Sequence, residues 1–128
     1  ASTSFTDKKV TAKTKYQYTV VAVKNSTASG KSAAKSIKYY PAPVLGKITS
    51  VSNGIKITWK KTAGASRYQI YRKGPGDTSW VKLKTTSNRS FTDKTAKTGS
   101  TYSYTVASMN ADGKIISGYD TKGLRITR

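Results

Sequence analysis

The chain has 128 residues and carries 24 Lys and Arg against five Asp, a formal charge of +19. It contains no Cys, which excludes a disulfide framework and a thiolate metal site. It contains no His and no Glu, which excludes a Ser-His-Asp triad, removes the commonest metal ligand and halves the carboxylate repertoire.

Taken in order, residues 1 to 40 show strand signals only. Ser4-Phe5-Thr6-Asp7 is predicted to be a short strand ending in a turn residue. Tyr16 to Val23 is predicted to be a longer strand, with Tyr16, Tyr18, Val20 and Ala22 on one face and Val21 and Val23 on the other. Lys24 to Gly30 is a polar turn, and Ala33 to Tyr40 a third strand carrying Ile37 and Tyr39 on one face. Pro41-Ala42-Pro43 interrupts any pairing and reads as a short, stiff linker.

Residues 41 to 128 give a fuller set. Leu45 to Val51 is a first strand, and Asn53-Gly54 a hairpin signal leading to Ile55–Lys60, with Ile55, Ile57 and Trp59 inward. Arg67 to Arg72 follows, with Tyr68 and Ile70 inward and Tyr71 outward. Beyond the Gly74-Pro75-Gly76-Asp77 connection, Trp80 to Lys84 forms a fourth strand with Val81 and Leu83 inward. Ser90 to Asp93 is a short fifth strand, and Tyr102 to Met109 a sixth. Asn110 to Lys114 turns the chain, and Ile115 to Thr127 closes the sheet. Seven short strands with turn signals between them, and no apolar spacing of three and four, predict an all-β sandwich.

An offset of 86 residues superposes Ser4-Phe5-Thr6-Asp7-Lys8 on Ser90-Phe91-Thr92-Asp93-Lys94. Without a gap it carries Tyr16, Tyr18, Thr19 and Val20 onto Tyr102, Tyr104, Thr105 and Val106. A period of that length is a tandem domain, not a solenoid repeat. The predicted organisation is therefore residues 1-40 as the last strands (E, F and G) of one unit, and residues 41-128 as a complete second unit. Three strands in about 40 residues cannot bury a core alone. A complementing chain fragment, a swapped copy of the same protein, or further residues of a longer chain are expected to complete residues 1-40.

Residues 43 to 127 resemble a fibronectin type III domain (an immunoglobulin-like β-sandwich), of the kind repeated in tandem on Gram-positive bacterial surface proteins. The resemblance rests on Ile55-Lys56-Ile57-Thr58-Trp59, Tyr68-Gln69-Ile70-Tyr71-Arg72, Ser90-Phe91-Thr92-Asp93, and Gly99-Ser100-Thr101-Tyr102-Ser103-Tyr104-Thr105-Val106, in that order. It implies that Trp59 is the core Trp, with Tyr68 inward beside it. It also implies that Tyr102, and Tyr16 in the first unit, are tyrosine corners whose hydroxyls bond backbone a few residues upstream. The Leu and Pro usual before such a corner are replaced by Ala96 and Thr98. The implied location is extracellular, on a bacterial surface.

No enzyme constellation is visible, no cofactor motif is present, and Asp7, Asp93, Asp77 and Asp112 read as turn residues. There is no Arg-Gly-Asp tripeptide and no apolar run approaching a membrane span. Lys outnumbers Arg, which favours solvation over bidentate phosphate reading, and no nucleic-acid motif accompanies the charge. The candidate binding residues are Trp80, Tyr71, Arg72, Lys82, Lys84 and Arg67: two aromatic side chains among cations on neighbouring strands. The expected function is non-catalytic binding of a host protein (of immunoglobulin or mucin class) or glycan through a sheet face or edge. The alternative is a spacer, or an accessory module of a secreted polysaccharide-degrading enzyme.

Overall fold

The computed structural model describes residues 2–128, which divide into two compact units between Tyr39 and Tyr40. The first unit carries β1 (Lys15–Tyr18), β2 (Val23–Lys24), β3 (Thr27–Ala28) and β4 (Lys35–Lys38). The second carries β5 (Leu45–Val51), β6 (Gly54–Trp59), β7 (Arg67–Lys73), β8 (Val81–Thr86), β9 (Ser90–Asp93), β10 (Thr101–Met109) and β11 (Leu124–Thr127).

In the second unit one antiparallel sheet runs β5-β6-β9 and the other β11-β10-β7-β8. Their inner faces meet in one core. β6 contributes Ile55, Ile57 and Trp59, β7 Tyr68 and Ile70, and β10 Tyr102, Tyr104 and Val106. Each set recurs at every second residue, which is the strand period. Leu45, Ile48, Leu83, Phe91 and Ile126 close the core's margins. This is an all-β, fibronectin type III-like sandwich.

Three local features depart from the sequence expectation. The β5–β6 turn is Ser52-Asn53, one residue earlier than the Asn-Gly signal, with Val51 opposite Gly54. Gly54 instead opens β6 at a φ of 154°, where a Cβ would collide with the Asp93 carbonyl. Val81, expected inward, is 51% exposed, because it lies opposite Arg72 on an edge strand whose register shifts between Ile70 and Tyr71. The final strand is only β11, and residues 116 to 123 take an irregular path.

In the first unit, β1 pairs with β4 and β2 with β3. The β2–β3 turn is Asn25-Ser26, both at positive φ, as tight two-residue hairpins require. The long strand expected over Tyr16 to Val23 is regular only to Tyr18. Beyond it, the N–H groups of Val20 and Ala22 are held by the hydroxyls of Ser32 and Ser29. Ser4 to Asp7 is not a strand. The physical reason is visible in its counterpart: β9 is a strand because it pairs with β6, and the described residues of the first unit contain no such partner.

Both tyrosine corners form. Lys97 N–H donates to the Tyr102 hydroxyl oxygen at 3.0 Å, and Thr11 N–H to that of Tyr16 at 2.7 Å. The Trp59 indole is packed edge-on to Tyr68 with ring centroids 5.5 Å apart, and its buried N–H has no hydrogen-bond partner. Its contribution is therefore packing. Trp59→Ala should cost the second unit about 3–5 kcal/mol, and Trp59→Phe less than about half of that. Urea denaturation followed by circular dichroism tests this; equal losses would assign the role to the indole N–H instead.

Candidate interaction surface

The six residues singled out by sequence lie on or beside β7 and β8, but the structure separates them into three groups. Arg72, as an even-numbered residue of β7, points with Tyr68 and Ile70 toward the inner side. Its Nη1 donates to Asp93 Oδ2 and to Thr95 Oγ1, each at 2.9 Å. Its guanidinium carbon lies 5.2 Å from the Tyr102 ring centroid. Arg72 is thus a structural cation, which corrects its expected place on an exposed face.

Tyr71 does point to the outer side of the sheet, yet it is only 8% exposed. The expectation of an exposed anchor is corrected by what covers it. Tyr119 lies over Tyr71, with ring centroids 5.2 Å apart. Trp80 meets Tyr119 edge-on at 6.3 Å and packs over Gly123. Thr105 Oγ1 on β10 donates to the Asp120 carbonyl at 2.8 Å. The 116–123 segment therefore crosses the outer face of the four-stranded sheet, which buries Tyr71, Thr105 and Ala107. Tyr119 was missed by sequence reasoning, because Ile115 to Thr127 reads as one continuous strand. Gly118 and Gly123, with Asp120 between them, are the sequence signal against that reading.

The remaining residues stay at the surface. Lys82 and Lys84 are exposed on β8, opposite Tyr71 and Ile70, and Arg67 is exposed at the start of β7. Trp80 is half-buried, and Lys73 Nζ sits 5.3 Å from its ring centroid, a cation–π contact that sequence did not single out. The surviving surface is thus a partly covered indole rimmed by Lys side chains.

The strongest electrostatic feature is Asp93, which is 1% exposed. Burial opposes its ionisation, but it accepts hydrogen bonds from Thr95 Oγ1 (2.7 Å), Tyr104 Oη (2.7 Å), Arg72 Nη1 (2.9 Å) and the Thr95 N–H (2.9 Å). These outweigh burial and hold its pKa below the ordinary 3.8. Burial, and then the bond to the Asp93 carboxylate, push the Tyr104 phenol well above its ordinary value. Tyr71 is raised as well, by burial first and by the neighbouring Tyr119 second. Among the described residues no cluster of His, Cys, Asp and Glu could hold a metal ion. No helix is long and apolar enough to cross a membrane.

No family model matches the chain, and no curated protein matches it in sequence. Solved structures do match. A β-1,2-glucanase from Parabacteroides distasonis aligns with a TM-score of 0.59 and 20% identity, over 71% of this chain and 13% of that one. The FN1–FN3 domains of chicken CNTN1 align with a TM-score of 0.51 and 20% identity, over 97% of this chain and 46% of that one. The pectate lyase PelI of Erwinia chrysanthemi, solved in complex with tetragalacturonic acid, aligns at 0.50 and 17% identity, over 62% and 27%. In each case this chain spans less than half of the larger protein. At such identities the likeness establishes the fold: a fibronectin type III-like β-sandwich module.

Because the native pKa of Asp93 is depressed, its contribution to stability is complete above the ordinary carboxylate value and lost as pH falls through the lower native one. The melting temperature of the second unit should therefore hold steady down to about pH 4–5 and fall below that. Asp93→Asn should flatten the acid limb and lower stability at pH 7 by about 1–3 kcal/mol, toward the lower end because Arg72 stays 26% exposed. Thermal melts from pH 2 to pH 7 test both; an unchanged acid limb in the variant would remove Asp93 from the account.

Proposed function

We propose that this chain is a non-catalytic spacer or accessory module of a larger extracellular protein, of the tandem kind displayed or secreted by Gram-positive bacteria. The observation that carries this reading is the use of the candidate binding side chains inside the fold. Arg72 is bound to Asp93, Tyr71 lies beneath Tyr119, and Trp80 packs over Gly123. What remains outside is a solvated, Lys-rich surface that attracts polyanions weakly and without geometric selection. Two of the similar structures being carbohydrate-active enzymes supports an accessory place beside such a catalytic domain. In that setting the charge of +19 would hold the module near anionic wall polymers or acidic polysaccharides.

One observation favours a second reading, engagement of a host protein or glycan. Trp80, only half-buried, has Lys73 over its ring and Lys82 on the adjoining strand. Such a residue would act as a hot spot where a partner completes its burial.

Salt distinguishes the two. Immobilised chain should retain polygalacturonate and sulfated glycans at about 0.05 M salt and release them by about 0.5 M, where screening acts within a few Å. Serum and mucosal proteins should pass through at the higher salt. A single host protein retained at 0.5 M and released by Trp80→Ala would overturn the spacer reading and establish the second.

A further inference from the structure

One concave place in the second unit departs from the Lys-rich exterior. Where the β7–β8 connection meets the turn before β10, an open cleft of about 560 Å³ is formed. Small-molecule sites occupy about 300–1,000 Å³, so the cleft has the size of one. Its lining combines the 74–77 connection, the 99–101 turn and three strand residues, Lys73, Ser103 and Arg125.

The sheet register sets those three side chains in one row. Ser103 on β10 lies opposite Lys73 on β7 and opposite Arg125 on β11. Residues directly opposite share a face. Ser103 alternates with the inward Tyr102 and Tyr104, so the row faces outward. With strands about 4.8 Å apart, the backbones of the two cations stand about 10 Å apart, with the hydroxyl between them. Lys73 is half-buried, and its Nζ is held 5.3 Å from the Trp80 ring centroid. Among the described residues neither cation has a carboxylate within ion-pair distance, and Ser103 Oγ has no hydrogen-bond partner. The first unit gives the contrast. There the residues corresponding to Ser103 and Arg125 are Gln17 and Ser36, which are uncharged and bonded to each other at 3.1 Å. In the second unit the same positions keep their donors unused.

Two cations flanking a hydroxyl are donors for one carboxylate, and the planar Arg fork matches its two oxygens. The cleft also holds an acceptor. Asp77 Oδ2 accepts the Gly74 N–H at 2.7 Å, which fixes the connection, while Asp77 Oδ1 has no partner among the described residues. A carboxylate at that place repels a bare anion such as sulfate but accepts hydrogen bonds from hydroxyl groups. A ligand that suits both sides carries one carboxylate and several hydroxyls on a compact frame. We infer that this cleft binds a carboxylated sugar residue. Lys73, Ser103 and Arg125 hold its carboxylate, and a ring hydroxyl donates to Asp77. Uronic and sialic acids share this chemistry. The inference goes beyond the charge-driven retention proposed above, because it assigns selection to one cleft, and it does not depend on the spacer reading.

The test titrates the isotope-labelled 1–128 chain at about 0.15 M salt, where exposed charges are screened over about 8 Å, and follows amide shifts by NMR. The ligands used are trigalacturonate, sialyllactose, their neutral counterparts galactotriose and lactose, and inorganic sulfate. At least one carboxylated sugar should bind saturably, with shifts centred on Lys73, Ser103, Arg125 and residues 74 to 77. The tighter of the two names the source of the carboxylate. The neutral sugars and sulfate should bind at least about tenfold more weakly, as loss of one charge-assisted contact implies. Arg125→Gln and Ser103→Ala should each weaken the sugar at least about fivefold. Neither side chain has a partner to lose, so both variants should melt as the parent chain does. Lys56→Gln removes an exposed cation from the other sheet and should change affinity by less than about twofold. The inference is overturned if sulfate binds as tightly as the carboxylated sugars, or if Lys56→Gln weakens binding as much as Arg125→Gln. Either result leaves charge-driven retention alone. It is also overturned if neither carboxylated sugar saturates the shifts by about 10 mM.

Discussion

The fold of the second unit depends on one buried anion. Asp93 ends β9, in the three-stranded sheet, while Tyr104 and Arg72 stand on β10 and β7 of the four-stranded sheet. The carboxylate is thus a buried polar tie between two layers whose interface is mainly apolar. A carboxylate withdrawn from water is costly unless its lone pairs are filled. Here Thr95, Tyr104 and Arg72 fill them, and the site is satisfied only when both sheets are in register. The tie extends further: Arg72 also lies over Tyr102, whose hydroxyl receives the Lys97 N–H. One connected network therefore fixes the turn before β10, the pairing of β7 with β10, and the end of β9.

That network explains why a face that looks suited to binding is largely internal. Arg72 has its partner before any ligand arrives. The outer side of the four-stranded sheet is covered by the chain's own 116–123 segment, which is why β10 is buried on both sides from Tyr104 onward. Ring contacts among Tyr71, Tyr119 and Trp80 form a small second apolar layer there. The exterior left to solvent is dominated by flexible Lys side chains, whose ordering against a partner is entropically unfavourable. Such a surface suits charge-driven retention more than a shaped recognition site.

The two units together separate local from tertiary causes, since similar text occurs in both. The tyrosine corner and the Asp turn form in each, because their partners lie within a few residues or on the adjoining strand. Strand continuity does not repeat. β1 spans four residues where β10 spans nine, and Ser4–Asp7 stays irregular where Ser90–Asp93 is β9. A strand needs a partner on at least one edge for its backbone groups, and β10 has β7 as well as β11. Similar propensity thus yields different structure when a neighbouring strand pairs with the segment in one case and none among the described residues pairs with it in the other.

Alternation and turn chemistry are local signals, and through them the sequence by itself determined most of the sandwich. The inward sets of β6, β7 and β10, the corners at Tyr16 and Tyr102, and the internal offset are all written in residue spacing. Those features need only the strand period and short-range bonds. Tertiary structure alone decided the fate of Tyr71, Arg72 and Val81. Whether an outward Tyr is exposed depends on a loop some fifty residues later, and whether an Arg is free depends on a carboxylate in the other sheet. Val81 stayed at the surface because of a register shift, which leaves no mark on alternation. Burial by distant segments is set by the three-dimensional path, and no pattern within a strand encodes it.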